Sequence, residues 1–240
     1  MKLITCENYA EMSNVAAKIM ADQIKAKPNS ILGLATGSTP EGMYAELAKM
    51  HKNGELDFSK IVTFNLDEYY PISRTNDQSY YYFMNHHLYS KVNLKLENVN
   101  IPNGEAADVE TECAGYDKKI DDMGGIDLQI LGIGSNGHIA FNEPAEELTA
   151  GTHMVALTED TIKDNSRFFA SEADVPKNAL TSGMATIMKA KQIIIMISGK
   201  NKNAPLKKLL SGKITCNVPA TMLNMHPNVT IIADKDAING

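Results

Sequence analysis

The sequence predicts one α/β domain over residues 1–240: a doubly wound, mostly parallel sheet with helices on both faces, Rossmann-like in build. Apolar runs of strand length recur at Ile31–Ala35, Ile61–Leu66, Ile126–Ile133, Gln192–Ser198 and Val229–Ala233, too continuous for a sheet wetted on one side. Helix-period segments alternate with them, the first striped by Met12, Val15, Ala16, Ile19, Met20 and Ile24, the others following Pro40, Asn76, Ala106, Thr181 and Ala204. The third observation is composition: 43% hydrophobic and 22% charged residues over 240 positions, with no repeat and no Pro/Gly/Ser-rich linker, suit a single packed core. The thirteen methionines read as filler of that core.

Charge and hydropathy exclude whole classes of partner. With 23 Lys+Arg against 29 Asp+Glu, the net charge of −6 offers no bulk positive field to nucleic acid or an anionic membrane. No apolar stretch approaches the roughly 18 to 20 residues of a membrane span. The start, Met1-Lys2-Leu3-Ile4-Thr5-Cys6-Glu7, has no apolar signal region, and Cys6, Cys113 and Cys216 are scattered and odd in number. A cytoplasmic protein with reduced thiols is expected.

In sheets of this class ligands sit beyond the carboxyl ends of the strands, so the residues leaving each apolar run are the ones to weigh. After Ile31–Ala35 comes Thr36-Gly37-Ser38-Thr39-Pro40: Gly37 allows a tight turn, Thr39 can cap a helix and Pro40 suits its first position. Free amides, two hydroxyls and the positive end of a helix make a phosphate cradle there, though a plain capped turn fits too. After Ile61–Leu66 stand Asp67 and Glu68. Asp67 is either a turn former or, if partly desolvated, a general base. Were the strand to continue, the two acids would point opposite ways and only one would face a site.

The third run ends in Leu131-Gly132-Ile133-Gly134-Ser135-Asn136-Gly137-His138-Ile139-Ala140-Phe141-Asn142-Glu143-Pro144. Glycines bring backbone close to something, and His138 with a carboxylate five residues on can form an oriented acid/base pair. One His and one Glu leave zinc short of ligands, so no metal is expected. The glycine spacing also lacks the apolar helix start of a dinucleotide site. Arg74 and Arg167 are the only arginines. Arg167, in Asn165-Ser166-Arg167-Phe168-Phe169, can grip phosphate bidentately or lie solvated. Ser198-Gly199-Lys200-Asn201-Lys202 follows the fourth run with two ammonium groups, as a further anion contact or a wetted turn.

Taken together, Gly37-Ser38-Thr39-Pro40, Phe64-Asn65-Leu66-Asp67-Glu68-Tyr69 and Gly137-His138-Ile139-Ala140-Phe141-Asn142-Glu143-Pro144 resemble the glucosamine-6-phosphate deaminase family, and the likeness runs through essentially the whole chain. The resemblance implies an enzyme of amino-sugar catabolism that converts glucosamine 6-phosphate and water to fructose 6-phosphate and ammonia, with neither metal nor organic cofactor. It implies that Asp67 moves a proton from C2 to C1 and that His138 opens the pyranose, oriented by Glu143 and Asn136. Gly37, Ser38, Thr39, Arg167 and Lys202 match the family's phosphate site, Lys202 rather than Lys200 by position. Some members carry Asp where this chain has Asn136; an amide can orient an imidazole but not stabilise its cation by charge. The stretch 145–178 resembles the family's mobile lid, which adds its arginine on closure.

Two other readings share parts of this pattern. A 6-phosphogluconolactonase has similar glycine motifs, but Asp67-Glu68-Tyr69 with the His138–Pro144 motif fits the deaminase better. A non-catalytic sugar-phosphate sensor would keep the cradle and add a helix-turn-helix with a basic face, neither of which the sequence carries. Allosteric members of the family are larger hexamers with basic groups after the Asn-Glu-Pro motif. Here Glu146 and Glu147 follow Pro144, Thr152–Ala156 has neither Arg nor Lys, and the chain stops soon after its last apolar run. A monomer or small homo-oligomer without that regulation is expected.

Overall fold

The computed structural model describes residues 1–158, 162, 171 and 175–240. Its elements run β1 (Lys2–Cys6), α1 (Tyr9–Ala26), β2 (Ile31–Leu34), α2 (Ser38–Lys52), β3 (Val62–Asn65), β4 (Asp67–Tyr70), α3 (Tyr80–His87), β5 (Val99–Asn100) and α4 (Val109–Asp122). They continue with β6 (Leu128–Leu131), β7 (His153–Ala156), β8 (Asn178–Thr181), α5 (Met184–Met188), β9 (Ile193–Ile197), α6 (Asn203–Leu210), β10 (Val229–Asp234) and α7 (Lys235–Asn239). Among the described residues no helix is long and apolar enough to cross a membrane.

The main sheet has the order β1-β10-β9-β6-β2-β3-β5, with every neighbouring pair parallel. From β2 the chain moves outward to β3 and β5, then returns to lay β6 on the other side of β2. That reversal opens a crevice between the carboxyl ends of β2 and β6, the place where such sheets bind ligands. Every residue of β9 and β10 is buried, because helices cover both faces. Met12, Ala16, Met20 and Ile24 of α1, with Met43, Tyr44 and Leu47 of α2, pack one face. Tyr116 and Ile120 of α4, Ile187 of α5, and Leu206 and Leu209 of α6 pack the other. Burying each large aliphatic side chain is worth about 1.5–3 kcal/mol, and the stripe that marked α1 in the sequence is the face it buries.

Three of the apolar runs are trimmed where they meet the crevice, with Ala35, Ile133 and Ser198 lying in loops, while Leu66 alone separates β3 from β4. A second sheet, β4-β8-β7, is antiparallel and has no counterpart in the sequence reading. Its strands are four residues long and polar or half-exposed, as in Asp67-Glu68-Tyr69-Tyr70 and His153-Met154-Val155-Ala156, so no apolar run announces them. β7 falls within the stretch 145–178.

At the opposite, amino end of the sheet Asp127 binds β2 to β6. Its buried carboxylate accepts from Lys27 Nζ at 2.6 Å, Lys191 Nζ at 2.7 Å and the Ile31 amide at 2.8 Å. Burial alone would raise its pKa, but the two ammonium groups and the amide outweigh it and hold the carboxyl below its ordinary value. A depressed carboxyl contributes stability above its unfolded pKa that is lost as pH falls through the folded value. Both lysines are partly solvated, which limits the loss when the charge is removed. Asp127→Asn should therefore cost about 1–3 kcal/mol at pH 7, and urea unfolding of the two proteins should converge below about pH 4.

Candidate active site

Four adjacent strands, β9, β6, β2 and β3, deliver their carboxyl ends to one cavity of about 320 Å³, lined by Thr36, Gly37, Ser38, Thr39, Asp67, Tyr80, Gly134, Ser135, His138, Phe141, Asn201 and Lys202. All but Asp67 and Tyr80, which belong to β4 and to the helix after it, come from segments that follow a main-sheet strand, so the parallel ladder sets most of their separations.

The turn after β2 differs in detail from its sequence reading. Gly37, at φ 87°, is the N-cap, and α2 starts at Ser38, so Thr39 lies inside the first turn and Pro40 is its third residue. Pro is tolerated there because the first amides of a helix have no intrahelical acceptor. Among the described residues no side chain caps this end. The amides of Ser38 and Thr39 have no intrahelical acceptor, and both residues, each with a hydroxyl, line the cavity at the positive end of the helix dipole. Lys202, half-buried, enters from the turn after β9. That turn is fixed by Asp234, whose carboxylate accepts from Ser198 Oγ and from the Gly199 amide at 3.1 Å.

Asp67 is the first residue of β4 and Glu68 the second, and the strand alternation separates them. Asp67 reaches the cavity at 6% exposure. Glu68, 1% exposed, turns the other way and accepts from the amides of Tyr69, Tyr80 and Tyr81 at 3.0, 2.8 and 3.0 Å. With Ser79 accepting from Tyr82 N, Glu68 closes the N-terminus of α3. Burial and then the Glu68 charge push the Asp67 carboxyl up to about 8. Burial raises Glu68 to about 7, against the pull of its three amides and Arg74.

The loop after β6 is wound tightly. The Gly134 amide donates to the His138 carbonyl at 3.0 Å, and the Gly137 amide to the Gly134 carbonyl at 3.0 Å. A Cβ on Gly134 would lie 2.3 Å from the His138 ring, and one on Gly137 would lie 2.4 Å from Val218 Cγ1 with φ at +91°; both positions need glycine. His138 Nδ1 stands 3.1 Å from Glu143 Oε1, within ion-pair reach but without the alignment of a formed hydrogen bond. Asn136 Nδ2 donates to Glu143 Oε2 at 2.7 Å, and Asn136 Oδ1 accepts the His138 amide at 3.1 Å. One amide side chain thus holds both members of the pair.

The chain matches the family model described as glucosamine-6-phosphate isomerases/6-phosphogluconolactonase over residues 7–232. It is 56% identical over 237 residues to glucosamine-6-phosphate deaminases of Thermoanaerobacter pseudethanolicus, covering 99% of this chain and 94% of that protein, and of Clostridium perfringens, covering 99% and 98%. The chain belongs to this family. A solved structure of a monomeric glucosamine-6-phosphate deaminase superposes with a TM-score of 0.97 at 45% identity, covering 100% of this chain and 99% of that one. A 6-phosphogluconolactonase from Thermotoga maritima, at 22% identity and TM-score 0.76, covering 98% and 99%, shares the fold.

Of the residues the sequence pointed to, this member of the family gathers Gly37, Ser38, Thr39, Asp67, His138 and Lys202 around one cavity, with Asn136 and Glu143 directly behind His138. Lys202 lines it and Lys200 does not feature in its lining. Arg167 lies outside the described residues, as does much of the stretch 145–178. Among the described residues no group of three or more His, Cys, Asp or Glu is placed to hold a metal ion. Sequence reasoning missed Tyr80, whose ring stacks on Phe141 at 6.2 Å and 6°. Its one signal was Ser79 ahead of an aromatic run, which is a helix start.

The raised Asp67 pKa is also a stability statement. A carboxyl whose folded pKa exceeds its unfolded value is least costly below the unfolded value, near 4, and destabilises progressively as pH rises through about 8. Asp67→Asn should therefore melt a few degrees above the natural chain at pH 8.5 and show little difference near pH 4, as read by calorimetry.

Proposed function

We propose that the protein is a glucosamine-6-phosphate deaminase acting with water to release fructose 6-phosphate and ammonia. The observation that carries this reading is the placement of a buried carboxylate, Asp67, in the same small cavity as an uncapped helix start, Lys202 and the His138–Glu143 pair. Gly37, Ser38, Thr39 and Lys202 bind the phosphate, joined by Arg167 from the lid 145–178 on the strength of the resemblance. Binding energy from that non-reacting group fixes C1 and C2 against Asp67 and lowers the entropic part of the barrier. His138 takes the anomeric hydroxyl proton and returns one to the ring oxygen, opening the pyranose. Asp67 then removes the C2 proton as O1 takes up another, giving an enolamine, and delivers its proton to C1. The imine left at C2 is hydrolysed by water, and the amine departs as ammonia. Ring opening breaks the bond from C1 to the ring oxygen, and hydrolysis of the imine forms the C2–O bond as the C2–N bond breaks; the rest is proton transfer.

The site chemistry suits this division of labour. A base must be ionised to work and is most effective with a pKa near the working pH, which the burial of Asp67 supplies. Glu143, held by Asn136, is the one carboxylate beside His138 in this relay, so the imidazolium has a single charged partner. The deaminase reading extends to assembly: the monomeric relative supports a monomer or small homo-oligomer, working in the cytoplasm.

Incubation with glucosamine 6-phosphate and assay of ammonia tests the reading. Hydrolysis of 6-phosphogluconolactone without ammonia release would replace it by the lactonase, and binding without turnover by a sensor. Asp67→Asn should lower turnover by about two to four orders of magnitude with KM little changed. In the natural chain kcat/KM should climb with pH through the neutral range as Asp67 ionises, and a rate flat from pH 5.5 to 8.5 would remove that role. Rates should rise hyperbolically with substrate, and N-acetylglucosamine 6-phosphate should not activate; a sigmoidal curve that it straightens would reveal a second phosphate site.

A further inference from the structure

The first turn of α2 does the phosphate reading in the proposed site, yet it is weakly held from within. Among the described residues no side chain caps it, and Pro40 removes one amide from its first turn. Support arrives from another element. Tyr9, the first residue of α1, donates its hydroxyl to the Ser38 carbonyl at 2.8 Å and accepts the Gly42 amide at 2.9 Å. Asn8 caps α1 by accepting from Glu11 N, which fixes the residue immediately before the tyrosine.

The contact is built on both sides. A Cβ on Gly42 would lie 3.1 Å from Tyr9 Cε1 and 2.4 Å from Ser13 Oγ, so the bare backbone of α2 is what lets the Tyr9 ring and Ser13 approach it. The Ser38 carbonyl and the Thr39 amide belong to one peptide unit. A hydrogen bond to that carbonyl both fixes the plane of the peptide and polarises its N–H, which belongs to Thr39, a residue of the cavity lining.

We propose that Tyr9 is a positioning residue for the phosphate site: its hydroxyl sets the orientation of the Ser38–Thr39 peptide, so that α1 contributes to substrate affinity without touching substrate. The proposal rests on the deaminase reading and its phosphate site.

Tyr9→Phe removes the hydroxyl and keeps the ring. In that variant KM for glucosamine 6-phosphate and the inhibition constant of inorganic phosphate should rise together, about three- to tenfold, while kcat stays within about twofold. A structural role alone would not move the phosphate constant. Unchanged KM and phosphate inhibition overturn the proposal, whether or not the melting temperature falls, and so does a loss confined to kcat. Ser38→Ala and the natural chain separate this from failure of the underlying reading. If phosphate does not inhibit the natural chain and Ser38→Ala leaves KM unchanged, the phosphate site itself is misplaced. If both respond and Tyr9→Phe does not, only the role of Tyr9 falls.

Discussion

Leu66 belongs to two sheets at once, and the rest of the site hangs on that residue. Its amide donates to the Leu34 carbonyl at 3.1 Å, extending the parallel pairing of β3 with β2, while its carbonyl accepts the Ser182 amide at 2.7 Å from the end of β8. The chain therefore leaves one sheet and enters the other within a single residue, and the next residue is Asp67, paired with Thr181. Both peptide groups of the junction are satisfied in the interior, which is the condition for burying a backbone bend there. Thr181 Oγ1 accepts from the Phe141 amide and the Ser182 carbonyl from Asn142 Nδ2. The loop carrying His138 is thus tied to the strand that faces Asp67.

The two neighbouring acids show how one fold treats like groups differently. Glu68 meets three amides at a helix start, an arrangement that compensates a buried carboxylate. Asp67 is governed by burial and by the charge beside it. The amides offset only part of the burial of Glu68, which still stands at about 7, and among the described residues no such donor opposes the shift of Asp67, so the same dipeptide supplies an anchor and a base.

Much of this was legible in the sequence because parallel strands buried on both faces are continuous apolar runs, and because the loops after them carry the chemistry. Gly37, Asp67 and His138 each follow such a run, and their meeting follows from strand order. The small sheet was not legible: Asp67–Tyr70 reads as polar chain, and becomes a strand only because β8 and β7 lie beside it. The start of α2 was misplaced because Thr39-Pro40 has the local chemistry of a cap and first position, whereas the positive φ of Gly37 let the helix begin earlier. Tyr80 was invisible because its place depends on Glu68, twelve residues away across a turn.

The contact of Gly137 with Val218 ties the histidine loop to a segment remote in the chain, reinforced by the Ala220 amide bonding to the Gly137 carbonyl at 2.9 Å. The two positions behave as one mechanical unit. A smaller residue at 218 removes a contact that 137 cannot restore, since its backbone angle disfavours ordinary side chains, and a larger one presses on the loop itself. Residue 218 carries no chemistry, yet its side chain sets how the histidine loop is seated.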